Sequence, residues 1–476
     1  MKSLPMVKAL VPFAAGIVLA EYFAVPWWLF AAAFLLCGAL ALLLRSWAAV
    51  VGLLVAAGWG ACQLHAPVRT VPAGVFCEWQ VEMEELPSLR SRSVAASGRV
   101  RAWRLPSEEG WHPADDLVLL RADSSAMLPD GGAIRGMGKI YPLRGGPESY
   151  RRLMVRRGVA GTLWFSAYEP VERVPGSRPG LHLLAAARMK RVCGAGDAGA
   201  VVRAMTAGDR SGIGPELRTA YARSGMSHLL AVSGLHTGLV FLLANWVLRG
   251  LTLWRRGHLL RDALAVGCVW LYVAAAGFPP SAVRAAVMCS LLQLAVASGS
   301  EYVALNALAA AALGMLLWNP AWIGDIGFQL SFVAVAAILA WAVPMCRRLR
   351  TGRRAVDALS GILVVGLAAS VATAPLVSHA FGIVPVAGLL LNPAVVPLAG
   401  GGGGCGGLGL LVPGVPAVGE AAAWALNALA RGVASLPGGA VEYTLSAGGT
   451  AVCYLLFAGA TAAWWCKPKK NVHLPV

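Results

Sequence analysis

The sequence is short of charge. Only 13% of its 476 residues are Asp, Glu, Lys or Arg, about half the share carried by a soluble globular protein, and 58% are hydrophobic. That balance excludes a water-soluble protein and implies an integral membrane one. Acidic residues are scarcer still, with 23 Asp and Glu against 40 Lys and Arg, a formal charge of +17. In a soluble protein such a surplus argues for anionic partners; here part of it is topological, because cytoplasmic loops collect Lys and Arg. Cysteine is present but unorganised. The ten cysteines contain no Cys-x-x-Cys pair and eight lie in or beside apolar segments, so no disulfide framework follows; Cys62 with Cys77 is the one positional candidate. A Gly-x4-Gly-Lys-Ser/Thr phosphate loop is also absent, so the chain carries no nucleotide-driven motor of that kind.

What is there begins with three apolar runs, 9–25, 27–44 and 47–64, the first preceded by Lys2 and Lys8. They read as three membrane helices in residues 1–64, the first uncleaved although it resembles a signal peptide. From 65 to 180 the composition shifts to Arg, Glu, Pro and Gly, and period-two alternation appears at 94–103, 117–121, 134–141 and 159–168, the pattern of a small β domain. Arg99 and Arg101 face away from Val100 and Ala102, and Arg135 and Lys139 away from Ile134 and Ile140, so one face is expected to be apolar and the other cationic. Short strands with glycine kinks suit a five-stranded barrel of the oligonucleotide-binding (OB) type, although periodicity alone fits any small β barrel. The cluster Arg151, Arg152, Arg156 and Arg157 reads either as solvated surface or as a patch that tracks phosphates. Residues 181–227 hold two amphipathic segments, the second opened by Pro215, expected to lie along the membrane surface.

Further apolar segments follow at 228–248, 263–279, 281–298, 303–318, 326–345, 358–378, 384–399, 421–437 and 449–466. With the first three they make about twelve crossings. The expected fold is therefore a polytopic α-helical membrane protein with an inserted small OB-like β-barrel domain, a transmembrane domain over 228–466, and a basic tail over 467–476. Lys2, Lys8, Arg45, Arg249 to Arg261, Arg347 to Arg354 and Lys467 to Lys470 all fall on one side of such a fold. By the positive-inside rule both termini are then cytoplasmic and the β domain is outside. The glycine run 400–409 and the stretch 413–416 are read as a re-entrant or broken segment.

Several apolar segments are interrupted by polar residues. Residues 228–238 read His-Leu-Leu-Ala-Val-Ser-Gly-Leu-His-Thr-Gly; on one helix His228 and His236 would lie within about 80° of each other, with Ser233 nearby. Such a stripe either lines a path or only bonds neighbouring helices, at about 0.6 kcal/mol a contact. Pro280, Ser281 and Arg284, then Asp325, Gln329 and Ser331, then His379 and Asn392 repeat the pattern. A charge at the bilayer centre costs about 2.5–3.5 kcal/mol, so Arg284 and Asp325 are expected to line an aqueous cavity or to pair with each other. The helix starts near 280 and 325 would also present free N–H groups to anions. Three function classes fit: a conducting path; an intramembrane enzyme with His228 and His236 as metal ligands, or Ser233 as nucleophile, and Asp325 in support; and a small-solute transporter with a midplane site near Asn392 and Gly400.

His228, Ser233, Gly234 and His236 resemble the signature of the ComEC family of competence proteins. The resemblance continues through Gly277, Pro280, Ser281, Arg284 and Ala285, through Asp325, Gly327, Phe328, Gln329, Leu330 and Ser331, and through Ala374, Pro375, Phe381, Gly382, Asn392, Pro393 and Pro397. Pro279 stands where that family leads one to expect serine. The family implies an inner-membrane channel that passes single-stranded DNA during natural transformation, with no catalytic residues, cofactor or metal in this region. It also implies membrane lipid around the chain, a periplasmic DNA receptor, a cytoplasmic ATP-driven translocase or single-strand-binding protein, and a pore within one chain or a homodimer. Many relatives carry a metallo-β-lactamase-like domain; this sequence has no His-x-His-x-Asp-His cluster, so nuclease activity is not expected of it. The β domain would hold the strand through Arg99, Arg101, Arg135, Lys139, Arg151, Arg152, Arg156 and Arg157 and stack bases on Trp103, Tyr141 or Trp164.

A reporter fused after Tyr168 should therefore be active on the outer side, and one after Arg353 on the cytoplasmic side. A cytoplasmic signal at Tyr168 would invert the topology.

Overall fold

The computed structural model describes residues 4–466 except 24, 25, 68, 90–92, 124–127, 130, 131, 144–147, 172–179 and 410–415. The tail 467–476 lies outside the described residues. Three helices open the chain: α1 (Pro5–Tyr22), α2 (Trp27–Leu44) and α3 (Trp47–Leu64). α1 starts on Pro5, where a missing N–H costs nothing. It packs on α3 by reciprocal glycines: a Cβ on Gly16 would stand 2.0 Å from the Val55 carbonyl, and one on Gly58 2.0 Å from that of Phe13. Small residues let membrane helices approach this closely. α2 buries none of its residues, the state of a helix whose surroundings are lipid.

The β domain comprises β1 (Phe76–Met83), β2 (Ser88–Leu89), β3 (Ser93–Arg104), β4 (His112–Pro113), β5 (Leu117–Asp123), β6 (Ala133–Tyr141), helix α4 (Glu148–Arg156) and β7 (Val159–Val171). Five strands pair in a cycle, β1 with β6, β7, β5 and β3 in turn and β3 back to β1, with β5 and β7 parallel. Inward positions alternate as the period predicts, burying Trp79, Val81, Val100, Leu120, Ile134, Ile140 and Leu163 completely. The Trp79 indole donates to the Gly138 carbonyl at 2.8 Å.

The outward face is not the cationic surface expected. Arg99 pairs with Glu84 and Asp115, Arg101 with Glu82 and Asp115, and Arg104 and Arg135 with Glu78. Burial pushes the Glu78 carboxyl up, but hydrogen bonds from Arg135 and Arg104 prevail and hold it below the usual range. Glu78, Glu82 and Glu84 come from β1 and the residue after it, which β3 and β6 flank, and Asp115 comes from the link between β4 and β5. Lys139 lies 5.8 Å from the Tyr141 ring.

The arginines of α4 are likewise engaged. Arg156 pairs with Glu21 at the end of α1, and Arg157 with Asp325. Both bonds join the β domain to the helical bundle, as does His182, whose Nε2 lies 2.6 Å from the Glu84 carbonyl. Arg151 and Arg152 share a shallow cleft with Glu21 and Tyr22.

After the β domain come α5 (Leu181–Val192), α6 (Asp197–Ala207) and α7 (Pro215–Arg223). They are not all surface helices. α6 buries every residue from Gly199 to Ala207, Arg203 and Thr206 among them, in a cluster shared with later helices, because α15 and α16 close over it. The remaining helices are α8 (Gly234–Val247), α9 (Gly257–Ala275), α10 (Pro280–Ala297), α11 (Ala304–Trp318), α12 (Ile326–Ala337), α13 (Val343–Arg348), α14 (Arg354–Phe381), α15 (Gly388–Gly409), α16 (Pro416–Ala434) and α17 (Ala447–Cys466). A π-helical turn, Ile338–Ala342, joins α12 to α13, and β8 (Ile383–Val384) pairs with β9 (Val441–Glu442). Among the described residues nine continuous helical stretches are long and apolar enough to cross a membrane: α1, α2, α3, α8 with its 3-10 extension to Leu253, α9, α10, α12 through α13, α14 and α17; α11 is a shorter apolar helix. The glycine run at 400–409 is helical, part of α15, rather than broken. The basic residues Arg249, Arg255, Arg256, Arg347 and Arg348 sit at the ends of α8, α9 and α13, away from the ends that meet the β domain.

Since the Arg157 and Asp325 side chains are only partly exposed, truncating either alone should cost about 1.5–3 kcal/mol. Asp325→Asn, which can still cap α12, should lose the ion pair alone, and in the Arg157→Ala background it should cost little more. Thermal unfolding of the four proteins as a double-mutant cycle measures this; zero coupling energy would show that the pair holds nothing together.

Candidate functional site

The site is built around the start of α8. The chain does not enter this helix at His228: residues Ser227–Leu230 form a 3-10 turn, and the backbone is extended from Ala231 to Ser233 before α8 begins at Gly234. The predicted single stripe is thus broken. His228 is exposed on the turn, with Nδ1 3.1 Å from the Gly225 carbonyl, whereas His236 is buried in α8. A Ser-Gly pair ahead of an apolar run is an N-cap signal as much as a stripe signal, and capping prevails because the first turn's N–H groups need an acceptor where no water supplies one.

Ser233 is that cap. Its Oγ accepts from the His236 N–H at 3.5 Å and lies 3.1 Å from His236 Nδ1, and the Ser233 N–H points at the same Nδ1, closing a capping box. The far nitrogen, Nε2, lies 3.2 Å from the Ala399 carbonyl of α15. Nε2 therefore carries the hydrogen, and Nδ1 is left as the acceptor.

α15 meets this helix through its glycines. A Cβ on Gly403 would stand 2.2 Å from His236 Nε2, and one on Gly406 2.1 Å from Thr206 Oγ1 of α6. The glycine run is thus a groove that receives one polar side chain from α8 and one from α6. Thr206 is 1% exposed, and its hydroxyl finds no partner among the described residues. Next to it Arg203 and Asp209, both buried, form an ion pair at 3.2 Å.

α10 closes the other side. Pro280 opens it, and the Ser281 hydroxyl donates to the Val232 carbonyl at 2.7 Å, tying the two helix starts together. Arg284 lies one turn on, 8% exposed. Of the two expected arrangements, an aqueous cavity or a pair with Asp325, the pair is not found among the described residues; Asp325 pairs with Arg157. Asp325 also caps α12, accepting from the Phe328 N–H at 2.8 Å. Gln329 donates to the Ile323 carbonyl at 2.7 Å, and Ser331 is half-buried in the same helix. Asn392 falls within α15, but its side chain lies outside the described residues.

Gly234, Ser233, His236, Ser281 and Arg284 are therefore brought together; His228, Asp325, Gln329 and the β-domain arginines are not part of that cluster. Sequence reasoning missed Thr206, Arg203 and Asp209, which lie in and just after the helix taken for a surface one. It also missed Phe278, held at a φ of 53° before the double proline, an unusual conformation for a bulky residue. Among the described residues no group of three or more His, Cys, Asp or Glu is placed to hold a metal.

Residues 205–468 match the Competence protein family. The match begins inside α6 and takes in α8 through α17, more than half of the chain. The chain belongs to that family. Among the family's relatives, ComE operon protein 3 of Bacillus subtilis (strain 168) is 30% identical over 201 residues, 42% of this chain and 25% of that protein. Competence protein ComA of Neisseria gonorrhoeae is 31% identical over 212 residues, 43% of this chain and 29% of its own length. An uncharacterised protein of Aquifex aeolicus (strain VF5) is 31% identical over 183 residues, 38% of this chain and 40% of its own. The shared region thus spans well under two thirds of each relative. No solved structure matches the chain. The polar cluster lies inside the family's region and the β domain outside it.

Ser233→Ala should lose the cap, about 1 kcal/mol. Gly403→Ala forces a methyl group onto the His236 ring and should cost about 1–3 kcal/mol. Gly401→Ala, where a Cβ meets nothing within 4 Å, should be neutral or slightly stabilising. Melting temperatures in detergent separate these; equal losses at Gly403 and Gly401 would mean that the groove is not a packing device.

Proposed function

We propose that this chain takes part in DNA uptake for competence, as a path for a single DNA strand across the cytoplasmic membrane. The observation that carries the reading is the buried polar cluster of α6, α8, α10 and α15, which falls within the region matched to the Competence protein family. One relative is itself named a competence protein. Each nucleotide brings a phosphate that hydrocarbon will not admit, so a conducting path must be lined by protein donors and water. Among the described residues Thr206 and Arg284 carry unpartnered polar atoms of that kind, and Ser233, His236 and Ser281 fix the helices around them.

In this reading the basic helix ends and both termini face the cytoplasm, and the β domain is outside. Its five-strand cycle fits an OB-like barrel. Because the arginines of its outward face are neutralised in pairs, its contribution to a strand is stacking on Tyr141 and Trp164, which are 41% and 42% exposed, more than a field of free charge. The pull on the strand comes from an ATP-driven or strand-binding partner on the cytoplasmic side, and delivery from a receptor on the outer side.

The contact between Ser233 Oγ and His236 Nδ1 also suits a serine nucleophile with its base. We read it as a cap, since a carbonyl rather than a carboxylate faces the second imidazole nitrogen. Labelled DNA reaching the cytoplasm, scored separately from DNA held outside, tests both readings in cells that depend on this chain. Loss of the chain should abolish cytoplasmic arrival while leaving outer capture intact, and Ser233→Ala should retain substantial uptake. Equal and total loss in Ser233→Ala and His236→Ala, at normal membrane levels, would favour chemistry, since members of a catalytic unit fail together.

A further inference from the structure

A lone cation inside a membrane protein needs a counter-charge, and Arg284 has none among the described residues. It is 8% exposed, its Nε is unpartnered, and no carboxylate lies within ion-pair distance. The Phe332 ring lies 5.9 Å away, and the Cys289 thiol is close enough to interact with Arg284 electrostatically. The guanidinium is turned toward the start of α8: a Cβ on Gly234 would stand 2.7 Å from Nη2. There the N–H groups of Gly234 and Leu235 belong to a first turn that has no intrahelical acceptors, and Ser233 Oγ is already spent on His236. A 14-residue helix points its positive end at the same place.

We propose that Arg284 and the first turn of α8 form an oxyanion site that holds one phosphodiester of the passing strand. This rests on the conduction reading above and names the group that the path binds. An arginine fork offers two parallel N–H donors to two oxygens of one phosphate, and backbone N–H groups supply the rest. A singly charged phosphodiester balances a single guanidinium. Gly234 is required because any side chain there occupies the place of the guanidinium. Lipid phosphate is the weaker candidate, because Arg284 is enclosed by α8, α10 and α12 and packs beside the buried residues Ala282, Val283 and Ala286. A single such site should be weak, since a conducted strand must also leave.

The test uses the full chain in nanodiscs of zwitterionic lipid, titrated with inorganic phosphate and separately with a labelled oligothymidylate. Phosphate should raise the melting temperature saturably in the wild type, less in Arg284→Lys, and not at all in Arg284→Gln. Oligothymidylate affinity should fall about tenfold in Arg284→Gln. Gly234→Ala keeps the charge but displaces the guanidinium, and should lose the phosphate response too, which covers the case in which Arg284→Gln does not fold. An equal phosphate response in wild type and Arg284→Gln would overturn the site. Oligonucleotide binding that ignores Arg284 would overturn it while leaving the conduction reading standing. Phosphate binding through Arg284 without oligonucleotide binding would overturn the assignment to a strand and count against conduction. A stabilisation seen only when anionic phosphatidylglycerol is added to the disc, and lost in Arg284→Gln, would overturn it in favour of a lipid headgroup.

Discussion

Hydrocarbon offers no hydrogen bonds, so every polar group inside this bundle must find its partner in protein, in a wet path or in a ligand. The rest of the structure depends on how that constraint is met at the start of α8. The chain arrives as a 3-10 turn, extends for three residues and turns into a helix on Ser233, which together with His236 satisfies the first turn. That one cap turns His236 toward α15, where Gly403 makes room for it, and leaves Gly234 open to Arg284. Three helices are thus placed by the need to satisfy a single helix end.

Charges of the β domain are met by opposite charges as well. The β domain sets Arg101, Arg104 and Arg135 beside the carboxylates of Glu82 and Glu78 on β1, and Arg156 and Arg157, at and just past the end of α4, pair with Glu21 at the end of α1 and Asp325 at the start of α12. These bonds fix the domain onto the bundle, at the face where α8, α10 and α12 begin. Arg284 stands out against this background because no carboxylate pairs with it among the described residues, while Asp325 pairs with Arg157.

Close approach is the second device. Gly16 with Gly58, and the glycine run of α15 with His236 and Thr206, bring helix backbones and polar side chains into contact that a single methyl group would prevent. In α15 Gly402, Gly403, Gly404 and Gly406 each meet a neighbouring residue while Gly401 and Gly407 face open space. The run is shaped to receive α6, α8 and α16.

Much of the architecture was legible in the sequence. Apolar runs of span length, the period-two alternation at 94–103 and 134–141, and the segregation of basic ends follow from local composition, because hydrocarbon thickness and strand pleat act on consecutive residues. The polar residues that matter, Ser233, His236, Ser281 and Arg284, were also visible, since a polar group within an apolar run is costly wherever it ends up. What only the tertiary structure decided was who partners whom. Asp325 faces Arg157 rather than Arg284, and Arg101 faces Glu82 across strands. His228 leaves the stripe because a cap at Ser233 outcompetes a continuous helix, and α6 is buried because two distant helices close over it. Such choices depend on contacts between residues up to hundreds of positions apart, and no local pattern carries that information.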